Sequence, residues 1–201
     1  KTPNNNPISL VETCCFVYDN IDTPIHFLGV GNISKSILLI YFSNFFKNKI
    51  SFDSSSYDLG TRYRTYLVPM SVNAKIQINK QNPINTFEFC NCNLCKLFSK
   101  HCDIKKLIVE DSPLLGPMIS LHNMGYVFNL MKYLETCGTN RQKFMDIIEG
   151  MKSETNIDDI KTSFDIIDDL VSKGSNYVKT KYKNILLQSY SVDSSKQNKL
   201  F

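Results

Sequence analysis

PIHFLGVGNISKSILLIYFSNFFKNKISFD, residues 24–53, decides the fold. Its first segment, residues 24–30, is apolar and bounded by Pro24 and Gly31, which suits a buried strand. Gly29 and Gly31 mark a tight turn, and Asn32 or Ser34 can cap a helix running to about Phe46. Within that helix Ile33, Ile37, Ile40, Tyr41 and Phe45 fall near helical spacing. A short strand over residues 50–53 follows a Lys-Asn turn. Strand, helix and strand in about 30 residues read as a βαβ unit, with parallel strands joined by a right-handed crossover.

Working outward, residues 54–60 read as a serine-rich loop, and Arg62, Tyr63, Arg64 and Tyr66 then alternate like an exposed strand. Residues 74–79 (AKIQIN) alternate again and could pair with it as an antiparallel hairpin. A cysteine cluster comes next, then a Lys-rich connection over residues 96–106. Helices are expected from Ser112 or Pro117 to about Thr136, over residues 140–151 and over residues 157–173. Lys173, Lys179, Lys181 and Lys183 suggest a solvated helix face, or a surface along a polyanion. The segment after about Ser189 is polar and poorly patterned.

The chain has 201 residues, enough for one domain or a modest two, and a net charge of +4. That excess, with a pI near 8.6, permits a polyanionic partner and equally an ordinary solvated surface. No apolar run reaches the length of a membrane span, so a soluble protein with no membrane partner is expected. The first residue is Lys1 and no leader pattern follows it, which reads as a fragment of a longer protein. Seven cysteines, three of them within six positions, fit a reduced, cytoplasmic compartment and a metal site better than a disulfide framework.

That site is Cys90-x-Cys92-x2-Cys95, joined after 26 intervening residues by His122. Zinc takes four soft or borderline ligands in a tetrahedron, and three thiolates on a tight loop with a distant imidazole supply them. Four protein ligands leave no open position for a reactive water, so the expected ion is structural. His101 and Cys102 compete for the fourth place because they lie closer; the helical context favours His122. Cys14, Cys15 and Cys137 read as small core residues.

Four segments, HFLGVG (26–31), SFDSSSYD (51–58), FCNCNLCK (89–96) and SLHNMGYVFNLM (120–131), together resemble the C-terminal part of the tRNA-guanine transglycosylases. The FDSSSY run looks closer to the archaeosine-type branch than to the bacterial queuine-type branch. The resemblance implies an α/β fold: the C-terminal portion of a (β/α)8 TIM barrel with a zinc-binding insertion and C-terminal helices. It divides the chain into a barrel part over residues 1–135, with the zinc subdomain at about 85–135, and a helical extension over residues 136–201. It implies an enzyme, a pentosyltransferase that exchanges guanine for a 7-deazaguanine base in tRNA without breaking the backbone.

By the same resemblance Asp53 matches the nucleophile, Leu28 the apolar side chain against the base, and Gly29 and Gly31 the glycine turn. Cys90, Cys92, Cys95 and His122 match the zinc ligands. Read alone, Asp53 before three serines is an ordinary turn residue. A carboxylate can nonetheless open a glycosidic C–N bond through a covalent sugar intermediate. Arg62 and Arg64, with Tyr63 and Tyr66, offer phosphate contacts and stacking surfaces. Barrel strands 1 to 6 and a second carboxylate have no counterpart before Pro24. Two alternatives accompany this reading: base exchange in DNA, as in phage-type relatives, and a non-catalytic zinc-binding subunit of a homodimer or heterodimer.

Overall fold

The structure is a computed structural model, and it describes residues 7–30, 33–53, 59–68, 75–78, 90–150 and 157–187. The chain divides into two units. The first comprises Lys1–Ser54, Leu134–Glu149 and Thr155–Phe201, and the second Ser55–Tyr133 and Gly150–Glu154. The helices after residue 136 share a unit with the βαβ segment.

In the first unit, helix α1 (Pro7–Asn20) precedes strand β1 (Ile25–Phe27), helix α2 (Ile33–Ser43) and strand β2 (Ile50–Phe52). The strands are parallel, pairing Ile25 with Ile50, His26 with Ser51 and Phe27 with Phe52, as a βαβ unit requires. Helices α7 (Arg141–Gly150), α8 (Ile157–Lys173) and α9 (Ser175–Lys181) follow later in the chain. Helix α1 was not anticipated because its buried residues, among them Ile8, Leu10, Val11, Cys14, Cys15 and Val17, do not form one narrow stripe. It packs on α8, as does α2. Cys14, Cys15 and Cys137 are buried, as expected of core residues.

Aromatic side chains fill the centre of this unit. Tyr41 lies 4.6 Å from the Phe164 ring and 5.1 Å from the Phe144 ring, centroid to centroid. Its hydroxyl donates to Asp168 Oδ1 at 2.6 Å, and Arg141 donates to Asp168 and Asp165 at 2.5 Å each. Three of the four lysines that sequence offered to a polyanion have partners here, and Lys183 is exposed. Lys173 and Lys181 both donate to Asp169, and Lys179 lies 3.7 Å from Asp19.

The second unit holds helix α3 (Leu59–Tyr63), strand β3 (Thr65–Leu67), strand β4 (Lys75–Gln77), helix α4 (Asn93–His101), helix α5 (Ile104–Val109) and most of helix α6 (Leu115–Thr136). Strands β3 and β4 form the expected antiparallel pair, Tyr66 facing Ile76. Three expectations need correction here. Arg62 and Tyr63 sit on α3 rather than on a strand, because Arg64 adopts φ 52° and turns helix into strand at that residue. Tyr66 is 2% exposed and packs in the core, so it offers no stacking surface. The Lys-rich connection is helical: Cys92 caps α4, and Asp103 caps α5 by accepting from the Lys106 N–H at 3.0 Å. Cys95, Ile104 and Ile108 point those two helices into a core shared with Tyr66, Ile78, Leu115 and Ile119.

The protein is predominantly helical with few strands. Among the described residues the strands make two separate two-stranded sheets and no closed barrel. No helix among them is long and apolar enough to cross a membrane.

Candidate metal centre

The second unit brings Cys90, Cys92, Cys95 and His122 together, their ligand atoms all within 4.8 Å of one another. Two elements position them. Cys90 and Cys92 lie just ahead of α4 and Cys95 in its first turn, where the Cys92 sulfur accepts the Cys95 N–H at 3.3 Å. His122 projects from α6 with its Nδ1 at 3.1 Å from Cys95 Sγ and 3.6 Å from Cys92 Sγ. A tetrahedron of sulfurs and one imidazole around a single ion requires separations of this size. The group can therefore hold one metal ion. His101 is exposed and Cys102 half-buried, and neither joins the cluster.

The surroundings favour ligand forms that a cation would complete. Burial holds the His122 imidazole below its ordinary range, against the opposing pull of the Leu67 carbonyl, so the ring is neutral and can coordinate. Burial likewise pushes the Cys95 thiol up. Burial also works against the Cys92 thiolate, but hydrogen bonds from the Cys95 N–H and the neighbouring thiols outweigh it and bring Cys92 below its usual value. Three crowded sulfurs, those of Cys90 and Cys95 buried and that of Cys92 half-buried, become thiolates together only beside a compensating positive charge, which a divalent ion would supply.

An outer layer fixes the imidazole. His122 Nε2 lies 3.0 Å from the Leu67 carbonyl oxygen, which assigns the proton to Nε2 and leaves Nδ1 for the metal. The Tyr66 ring stacks on the imidazole at 4.0 Å with planes 9° apart, and its hydroxyl reaches toward the sulfurs of Cys90 and Cys95. Asn123 grips the same strand: its Oδ1 accepts from the Leu67 N–H and its Nδ2 donates to the Thr65 carbonyl, both at 2.8 Å. Tyr66 reads from sequence in a different role, as a stacking surface, and Leu67 and Asn123 are passed over. The one signal for Asn123 is that it adjoins His122 on a helix where a buried Asn needs partners.

The remaining site residues fall in both units. In the first, Asp53 follows β2 directly and is exposed; its Oδ1 accepts from the Gly29 N–H at 2.5 Å, and its carbonyl accepts from the Val30 N–H at 3.0 Å. Gly29 has φ 71°, a left-handed conformation that favours glycine. Leu28 beside it is 71% exposed. Gly31 lies outside the described residues. In the second unit Arg62 is exposed, while Arg64 pairs with Asp111.

No protein-family model, no curated protein and no solved structure matches this chain.

Proposed function

We propose that this chain is part of a guanine transglycosylase, with Asp53 as the nucleophile and zinc as the ion in the Cys3His group. The observation that carries the reading is the meeting of Asp53 and Gly29 at the C-terminal ends of two parallel strands joined through a helix. Barrel enzymes keep their reacting groups at that end of their strands. The barrel itself is the larger half of the proposal, since its other strands must come from outside the described residues.

In this reading the Gly29 N–H holds Oδ1, and Oδ2 attacks the sugar C1′ while the C1′–N9 bond of guanine breaks. The departing base takes a proton from an acid outside this chain. A 7-deazaguanine then returns its N9 proton to that same group and attacks C1′ on the face that guanine left, expelling the carboxylate and restoring the configuration. Leu28, exposed next to Gly29, supplies an apolar wall for the flipped base. Zinc takes no part in these steps; it closes the knuckle onto α6.

The test is incorporation of labelled 7-deazaguanine by the full-length protein into tRNA and into duplex DNA. Activity on tRNA is expected. Asp53→Asn should lower it by on the order of 10³-fold or more and abolish a covalent protein–RNA adduct that survives denaturant. Incorporation into DNA alone moves the substrate to DNA. Incorporation into neither refutes the proposal, and activity indifferent to Asp53 makes the chain a non-catalytic partner subunit.

A further inference from the structure

At the end of the small parallel sheet opposite Asp53, the first unit carries an open cleft of about 640 Å³. It lies where the chain enters β1 at Pro24 and β2 at Lys49, beside the end of α2 at Ser43. Sites for small molecules span roughly 300–1,000 Å³, so the cleft is large enough to take one. Lys47, Lys49 and His26 line it, and no carboxylate does among the described residues. Both lysines are exposed, and among the described residues neither pairs with a carboxylate. Asp19 and Asp22 border a separate hollow that Lys47 also touches, and each is engaged, with Lys179 and Asn48 respectively.

The turn that presents the two lysines is fastened to the chain beside it. Asn48 donates to Asp22 Oδ1 at 3.1 Å, and the Lys49 carbonyl accepts from the Ile25 N–H at 3.0 Å. His26 and Ser51 are register partners across the sheet, with His26 Nδ1 at 2.8 Å from Ser51 Oγ. That bond orients the imidazole and leaves Nε2 to meet a ligand. Ile25 and Ile50, both half-buried, give the cleft an apolar side. Two ammonium groups with an imidazole suit the concentrated charge of a phosphate dianion. The apolar side beside them suits a phosphate that carries a small organic body.

We propose that this cleft binds a small phosphate monoester, with the phosphate held by Lys47, Lys49 and His26 and the organic body lying on Ile25 and Ile50. Binding here is independent of the transglycosylase reading, because the cleft opens at the ends of the strands opposite Asp53.

The experiment titrates the full chain with phenyl phosphate, inorganic phosphate and benzoate at constant ionic strength and follows the histidine ring C–H signals by NMR. The chain has three histidines, His26, His101 and His122, so His26→Gln assigns the signal of interest. Phenyl phosphate should move the His26 signal to saturation and leave the other two in place. Inorganic phosphate should move the same signal and saturate at higher concentration. Lys47→Ala/Lys49→Ala should weaken phenyl phosphate binding about tenfold or more, the effect of losing charge-assisted hydrogen bonds. Lys47→Arg/Lys49→Arg should stay closer to wild type than the alanine pair, and Lys143→Ala, elsewhere in the same unit, should bind like wild type. Circular dichroism should show every variant folded, since both lysines are exposed on a turn. An unmoved His26 signal, a shift shared by all three histidines, wild-type binding in the alanine pair, or an equal loss in Lys143→Ala overturns the inference. Benzoate binding as tight as that of phenyl phosphate overturns the choice of phosphate. Asp53→Asn should bind like wild type; a loss there would put the ligand at the other end of the sheet and overturn the assignment of this cleft.

Discussion

Replacing Asn123 tests whether β3 is the part of the metal centre that matters most after the ligands. Asn123 is fully buried and satisfies two backbone groups of β3, the Leu67 N–H and the Thr65 carbonyl. In Asn123→Ala both lose their partner. An orphaned buried polar group costs about 1–3 kcal/mol, so the pair should cost about 2–6 kcal/mol, nearer the lower end because the Thr65 carbonyl is only part-buried. Asn123→Leu restores volume without hydrogen bonds and should do no better. The damage should also reach the ion, because the Leu67 carbonyl that orients His122 lies on the loosened strand. Outer-layer losses of this kind lower metal affinity about 10–100-fold. Urea unfolding of the zinc-loaded protein gives the first quantity and competition with a chromogenic chelator the second. A stability change below about 0.5 kcal/mol, with metal affinity unaltered, would refute the reasoning.

Tyr66→Phe keeps the ring stacked on His122 and removes only the hydroxyl that reaches toward Cys90 and Cys95. Zinc should remain bound, but peroxide-driven zinc release should run several-fold faster; equal rates would deny the hydroxyl any hold on the sulfurs. Asp169 accepts from Lys173, Lys181 and Tyr182, and the Lys173 hydrogen bond first among these holds its carboxyl well below the usual range. A depressed carboxylate stabilises the fold above its unfolded value of about 3.9 and stops doing so as pH falls through the lower folded value. The urea midpoint of Asp169→Asn should therefore lie below wild type at pH 7 and approach it as pH drops well below 4. A gap that is constant with pH contradicts this.

The βαβ segment was legible because its signals are local: Pro24 bounds β1, Gly29 ends it at φ 71°, and α2 shows a helical period. The long helices α6, α7 and α8 were legible for the same reason. Helix α4 was not, since its cap is a cysteine sulfur rather than Ser, Thr, Asp or Asn, and lysines crowd its outer face. The run from Arg62 to Tyr66 misled because residue types alternate with period two while the backbone changes state at Arg64. The four metal-ligand candidates stood out by type and spacing. Tyr66 and Asn123 did not, because their role exists only once β3 lies against α6.

Charge shows the same division between what is local and what is not. A lysine announces itself in sequence, but whether it is available to a ligand depends on which acid the fold puts beside it. Of the four lysines that looked like a surface for a polyanion, Lys173, Lys179 and Lys181 pair with Asp169 and Asp19, residues up to 160 positions away. Lys96 and Lys100, which read as part of a Lys-rich connection, lie on the helix that carries Cys95, and among the described residues the acids of this unit are already engaged. The net positive charge of this protein thus falls on the unit that carries the Cys3His group, whereas the basic and acidic residues of the other unit balance.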